Sequence, residues 1–289
     1  MSESVTIAVI GGSGLYQMPE LSNITSMAID TPYGAPSANI IFGTLRGKRV
    51  AFLPRHGIGH VYTPSTVPYR ANIYALKSLG VQFIIAVNAC GSLREDYVPG
   101  DIVVPDQLVD YTKDERGRTF FEQGIVGPVS TADPFSPELN EIVAAAAESA
   151  GGRVHRGGTY VTIEGTRFST RAESRMFRQL DFSIVGMTTC PEAFLAREAE
   201  IAYSTMSHVT DYDSWHISEE PVNVGLVINT LHRNLELAQR AVAIAVEKID
   251  ESALYPEHFA LEGAIMTDHS HIPPETFQRL EPIIGRLYR

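Results

Sequence analysis

Apolar, strand-like runs alternate with helical patterns along this chain, and several of the runs stop abruptly at small or polar residues. Residues 5–10 run into Gly11-Gly12-Ser13-Gly14, residues 82–87 into Asn88-Ala89-Cys90-Gly91-Ser92, and the uncharged run 201–207 leads to Thr210-Asp211-Tyr212-Asp213. Short apolar runs bounded by turn signals mark buried strands. Two more, at 40–45 and 49–53, are spaced as a hairpin, and others fall at 101–109, 154–163 and 182–185. Helical patterns cover 67–79, stopped by Gly80, and 137–150, opened by Ser136-Pro137-Glu138 and stopped by Gly151-Gly152. Two further helices are expected at 192–200 and 222–249. In the second, Val224, Val227, Ile228, Leu231, Leu235, Ala238, Val242 and Val246 recur at steps of three or four. No repeat or low-complexity segment interrupts the series. The chain therefore reads as an α/β protein, with a single domain over residues 1–250 built on a central mixed β-sheet flanked by helices. Residues 251–289, with Pro256, Pro273, Pro274 and Pro282, read as a partly helical tail, for which a neighbouring subunit is one place to pack.

At 289 residues and 44% hydrophobic, the chain can bury a large core. No apolar run reaches the length of a membrane span, and Met1-Ser2-Glu3-Ser4 carries an acid where a secretory signal carries bases, so a soluble, cytoplasmic protein with no membrane partner is expected. Cys90 and Cys190 cannot form a disulfide framework. The nine histidines are scattered except for His269-Ser270-His271, so no metal site is expected. A net charge of −11 disfavours nucleic acid, whose phosphate backbone needs a basic face. Any anion bound here must be small and gripped locally.

Donors for such an anion lie at strand ends. Gly11-Gly12-Ser13-Gly14 lets backbone N–H groups approach a phosphate, with the Ser13 hydroxyl beside them. Arg55-His56-Gly57 adds a charged fork and an imidazole, Asn88-Ala89 a strand end with backbone amides, and Thr188-Thr189 hydroxyls. Each also reads as an ordinary turn, and Arg55-His56 equally as a surface Arg with a half-buried His. Four together are harder to dismiss. The glycine spacing is neither a P-loop nor a dinucleotide fingerprint, and no ribose-binding acid follows at about 20 residues. Asp211 and Asp213, in a loop closing a neutral strand, point to ligand contact, although an Asp-containing surface turn is the plainer alternative.

These motifs, taken in order, resemble the S-methyl-5′-thioadenosine phosphorylases. The resemblance rests on Ile10-Gly11-Gly12-Ser13-Gly14-Leu15; Arg55-His56-Gly57 with His60; Ala89-Cys90-Gly91-Ser92-Leu93-Arg94-Glu95 before Pro99-Gly100-Asp101; Thr162-Ile163-Glu164-Gly165 with Arg167-Phe168-Ser169; Met187-Thr188-Thr189 with Pro191-Glu192; and Thr210-Asp211-Tyr212-Asp213 with Trp215. It spans roughly residues 5–250. It implies the fold of the trimeric purine nucleoside phosphorylases and active sites near subunit interfaces in a homotrimer or dimer of trimers. The implied reaction is phosphorolysis of 5′-methylthioadenosine to adenine and 5-methylthioribose 1-phosphate, with phosphate as co-substrate and no cofactor. By the same resemblance phosphate falls to Ser13, Arg55, His56, Asn88, Ala89 and Thr188. Met187 falls to the ribose, Phe168 and Ser169 to the purine, and Asp211 and Asp213 to its N7 and N6 edge. Val224, Val227 and Ile228 fall to the 5′ pocket, though these three also sit on the helix's core stripe.

The reaction explains the residue types. Breaking the glycosidic bond leaves positive charge on the ribosyl carbon and negative charge on the purine, so both need stabilisation. A bound phosphate answers the first. A protonated Asp211 answers the second, donating toward N7 while accepting from the exocyclic amine, with Asp213 and poor solvation raising its pKa. A 6-oxopurine would instead present a carbonyl lone pair. The implied pattern is departed from at Asn88, where the animal enzymes carry Thr, and in Pro128-Val129-Ser130-Thr131, which lacks the His that the family sends toward the methylthio group from a neighbouring subunit. No Lys or Arg lies between Trp215 and Leu231, which disfavours an anionic 5′ group and fits a thioether or a hydroxyl. A 6-oxopurine nucleoside phosphorylase and a noncatalytic nucleoside-binding protein remain as alternatives.

Overall fold

The computed structural model describes residues 4–216 and 224–288; within these, the side chains of residues 13, 224, 226–229 and 231–233, among them the candidates Ser13, Val224, Val227 and Ile228, lie outside the described set. In chain order the strands are β1 Ile7–Gly11, β2 Ser22–Met27, β3 Ile40–Leu45, β4 Lys48–Pro54, β5 Phe83–Ser92, β6 Ile102–Val104, β7 Gln107–Tyr111, β8 Val154–Arg156, β9 Thr159–Ile163, β10 Ile184–Gly186 and β11 Ala202–Asp211. The helices are α1 Tyr69–Ser78, α2 Pro137–Ser149, α3 Arg171–Gln179, α4 Thr189–Glu198, α5 Val224–Lys248 and α6 Pro274–Ile284.

The strands form one mixed sheet around β5. Its first half pairs in parallel with β1 as far as Ala86, its other edge pairs in parallel with β11, and its end pairs antiparallel with β10 from Gly91. β3 and β4 form the expected antiparallel pair. Two strands expected to be continuous are each broken. Pro105, which cannot donate to a ladder, separates β6 from β7, and Gly157-Gly158, both at positive φ, separate β8 from β9. The breaks are in step: β6 pairs with β8 and with β11, while β7 pairs with β9 and β9 with β10. The two bent strands thus carry the sheet from β11 round to β10 and back to β5.

Side chains of β1 alternate between two cores, as the period of a strand requires. Ala8 and Ile10 join residues of α1, α4 and α6 on one face; Ile7 and Val9 join α2 and the second half of α5 on the other. Ser136 stands at the N-cap of α2 as expected, but its hydroxyl donates to Glu257 Oε2 at 3.1 Å instead of accepting from its own helix. The tail supplies that acceptor, and it also supplies core. Leu261, Ile272, Leu280, Ile283 and Ile284 are buried with α1, and Tyr74 Oη donates to Arg279 O at 2.9 Å. Because Leu280 is fully buried, Leu280→Ala is expected to cost about 2–5 kcal/mol in a chemical denaturation curve. A loss below about 1 kcal/mol would mark the tail as an appendage rather than part of the core.

Candidate active site

The strand ends expected to hold ligand converge on β5. Where β4 stops, the Arg55 N–H donates to Gly11 O at 3.0 Å, joining the ends of β4 and β1. Arg55 is 2% exposed. Its Nε and Nη2 donate to the two carboxylate oxygens of Glu192, both at 2.7 Å, and Nη1 donates to Val87 O at 3.0 Å. A guanidinium has five N–H groups, so one on each terminal nitrogen is left for a ligand. His56 donates Nδ1–H to Tyr62 O at 2.9 Å and stacks on His60. Burial, reinforced by the charge of Arg55, pushes its pKa down to about 4. The imidazole is therefore neutral near pH 7, and Nε2 offers a lone pair. It suits a protonated phosphate oxygen or a sugar hydroxyl rather than a bare oxyanion, which refines its expected role.

Along β5, Val87 O faces Arg55, whereas Cys90 O faces the Thr210 hydroxyl of β11 at 3.2 Å. Backbone groups alternate in direction along a strand, so Ala89 faces the same way as Val87. There the ladder to β1 has ended and the ladder to β10 has not begun, which leaves the Ala89 N–H toward the gap. Asn88 donates Nδ2–H to Thr205 Oγ1 at 2.9 Å and to Thr189 Oγ1 at 3.3 Å, so its amide braces the floor of the site. β10 runs the opposite way to β5, with Ile184 beside Ser92 and Val185 beside Gly91. The Asn88–Thr189 hydrogen bond brings the Met187-Thr188-Thr189 segment that follows β10 beside Asn88. Thr188 is buried and makes no capping bond to its own helix.

A residue absent from the sequence-level expectations secures this segment. Arg116, buried to the head group, donates to Met187 O at 2.6 Å, Cys190 O at 3.3 Å, Ile163 O at 3.4 Å and Ser65 Oγ at 3.3 Å, and pairs with Glu164. Against the cost of its own desolvation, hydrogen bonds from Ser65, Arg116 and the Asp114 and Lys113 N–H groups hold Glu164 down to about 2.

On the far side of β5 lie the acids. A register shift in β11 between Val209, opposite Cys90, and Asp211, opposite Gly91, inserts Thr210 as an extra residue and re-aims the strand end. Asp211 is 5% exposed; its Oδ2 lies 2.7 Å from the Thr210 hydroxyl and its Oδ1 accepts the Asp213 N–H at 2.7 Å. Asp213 holds that geometry at φ 50°, a left-handed conformation that Asp tolerates better than most residues. Burial pushes Asp211 up to about 6, opposed by the Thr210 and Asp213 hydrogen bonds and reinforced by the Asp213 charge. Burial raises Asp213 as well, opposed by the hydroxyls of Ser174 and Ser169 and by the Ser214 N–H. Gly91 makes room for both acids: a Cβ there would stand 3.1 Å from Asp211 Oδ1 and 3.1 Å from Asp213 Cβ. The Ser214 hydroxyl donates to Ser169 O and Trp215 Nε1 to Ser92 O, each at 2.7 Å, tying the acid turn to the 168–169 segment and to β5. Phe168 and Met187 are half-buried, and Ser169 is buried.

Arg55, His56, Asn88, Ala89 and Thr188 thus gather at one side of the end of β5, and Asp211, Asp213 and Ser169 at the other. The candidates Val224, Val227 and Ile228 and the Ser13 hydroxyl lie outside the described residues.

Hydrogen-bond donors and a buried acid pair flanking one strand end suit the breaking of a glycosidic bond by phosphate, and residues 6–247 match the model of the phosphorylase superfamily. The chain is 54% identical to S-methyl-5′-thioadenosine phosphorylase of Chloroflexus aurantiacus over 99% of each chain, and 50% identical to that of Geobacter sulfurreducens over 96% of this chain and 98% of the other. It superposes on the crystal structure of a methylthioadenosine phosphorylase from an antarctic soil metagenomic library with a TM-score of 0.93 at 49% identity, covering 97% of this chain and 99% of that one. Against methylthioadenosine phosphorylase from Schistosoma mansoni in complex with adenine, the TM-score is 0.85 at 34% identity, over 91% and 99% of the two chains. The chain belongs to the S-methyl-5′-thioadenosine phosphorylase family, with the α/β fold that its motifs led one to expect.

Proposed function

We propose that this protein catalyses phosphorolysis of 5′-methylthioadenosine to adenine and 5-methylthioribose 1-phosphate. Inorganic phosphate is the co-substrate, and the chemistry calls for no metal or organic cofactor. The observation that carries the proposal is the placement of a buried carboxyl of raised pKa, Asp211, across β5 from the Arg55 fork.

Phosphate held by the free N–H groups of Arg55, the Ala89 N–H and the Thr188 hydroxyl stands below the sugar. It stabilises the cationic ribosyl carbon and then attacks it, with the site supplying the approach geometry. His56 Nε2 accepts a hydrogen bond from a protonated phosphate oxygen or a ribose hydroxyl. On the opposite side Asp211 transfers its proton to N7 as the glycosidic bond breaks, so the purine leaves neutral, and its other oxygen takes a hydrogen bond from the 6-amino group. Asp213 and Ser169 complete the base edge, Phe168 packs on the purine, and Met187 lies against the ribose. Ser13 closes the phosphate cradle, while Val224, Val227 and Ile228 line the 5′ pocket. The same proposal makes this a cytoplasmic enzyme working as a homotrimer or dimer of trimers, with small molecules as its only substrates.

The test is adenine release from methylthioadenosine with and without phosphate, beside inosine at equal concentration. Phosphate-dependent release, with inosine turned over at least about tenfold more slowly, is expected, since a mismatched polar edge leaves buried groups unpaired. Faster turnover of inosine would reassign the protein to 6-oxopurines. Purine binding without turnover would make it a binding protein.

A further inference from the structure

Resting on the phosphorolytic reading of this site, we infer that Glu192 is a positioning residue for phosphate, acting through Arg55. A carboxylate beside an anion site is at first sight misplaced, because it repels the ligand that Arg55 is there to attract. Both members of the pair are cut off from solvent, Glu192 being fully buried and Arg55 2% exposed. Burying an ion pair gives little net stability compared with apolar packing, so its presence calls for a geometric reason.

The hydrogen bonds supply one. Glu192 takes the Nε–Nη2 edge of the guanidinium with two bonds of 2.7 Å, and a planar fork gripped along one edge cannot turn about its axis. Val87 O takes one N–H of Nη1. The two N–H groups that remain are thereby fixed in direction, one on each terminal nitrogen, as a pair for a single tetrahedral oxyanion. Glu192 is itself held: Tyr203 Oη donates to Oε1 at 2.8 Å, and Tyr203 is buried on β11. The arrangement links the end of β4, the first turn of α4 and the start of β11. It also joins Arg55 to the segment that carries Thr188, four residues before Glu192. With Arg55 neutralised by Glu192, phosphate is recognised by directed hydrogen bonds more than by net charge.

The experiment compares Glu192→Gln and Tyr203→Phe with the unaltered enzyme, measuring KM for phosphate and for methylthioadenosine separately, together with adenine affinity by calorimetry. In Glu192→Gln an amide NH2 faces an arginine N–H, so one arm of the grip is lost and Arg55 is free to turn. KM for phosphate is expected to rise about tenfold or more, while KM for the nucleoside and adenine affinity stay within about twofold. Tyr203→Phe keeps the ion pair and removes only its brace, so a smaller rise of about two- to fivefold in phosphate KM alone is expected. Unchanged phosphate KM in a folded Glu192→Gln enzyme, or an equal rise in both constants, overturns the inference. If Glu192→Gln does not fold, Tyr203→Phe decides on the same criterion. Loss of the underlying reading has a different signature, an unaltered enzyme that shows no phosphate-dependent turnover at all.

Discussion

Asp211→Asn is expected to lower kcat for methylthioadenosine by about 10²–10⁴-fold with KM changed little, the range that general-acid catalysis contributes. Asparagine keeps the pattern that adenine reads, donating through Nδ2 to N7 and accepting at Oδ1 from the 6-amino group, but it has no proton to give. A fall confined to kcat therefore isolates proton transfer from binding. In the unaltered enzyme kcat/KM should fall as pH rises through about 6, where Asp211 ionises in the free protein, and Asn should abolish that limb. The stability of the free protein should move in the same sense. A carboxyl whose folded pKa lies above its unfolded value binds more protons in the native state, so its contribution is fully present in acid and is lost between about pH 4 and 6. Asp211→Asn removes a buried charge and should stabilise the protein by about 1–3 kcal/mol at pH 7.5 and by less at pH 4.5, measured as a shift in urea midpoint. Retained kcat in the Asn variant would end the role assigned to this acid.

The second large effect is expected at Arg116. Removing it by Arg116→Ala leaves Glu164 without its cation and strips donors from Met187 O, Cys190 O and Ile163 O. Arg116 is buried whereas Glu164 is partly exposed, so the main cost is the buried carbonyls left without donors, about 1–3 kcal/mol each, and the variant should unfold at a clearly lower denaturant concentration. The catalytic effect should be broader than at Glu192, because the freed segment carries both Met187 and Thr188: KM should rise for nucleoside and phosphate together. Arg116→Lys restores one charge but not the fork, and is expected to recover stability better than either KM. An Ala variant of unchanged stability would show that the carbonyls find other donors and that Arg116 is dispensable.

Much of the site was legible because strand ends advertise themselves. Gly11-Gly12, Asn88-Ala89, Thr188 and Thr210-Asp211-Tyr212-Asp213 interrupt apolar runs, and the sheet gathers those interruptions around β5. The residues that hold them in place were not legible. Arg55 and Glu192 are 137 positions apart, and neither carries a local sign that the other is its partner. Arg116 sits in an irregular segment without periodicity, where an Arg is more often a solvated surface group. Gly91 appeared only as part of a motif; that it faces two acids depends on the extra residue in β11, which alternation alone does not reveal. The breaks in 101–109 and 154–163 did carry signals, Pro105 and Gly157-Gly158, but apolar residues on either side made single strands of them.

The central strand also acts as a ruler. In the proposed mechanism Ala89 serves the oxyanion, while Gly91 backs the acids, and two residues of extended chain span about 6–7 Å, close to what a pentose occupies between its leaving base and its incoming nucleophile. Loops around the pocket are free to alter which base or which 5′ substituent is admitted. The separation itself is set by covalent geometry in a strand held by β11 as far as Gly91, where adding or removing one residue would also turn every following side chain to the wrong face.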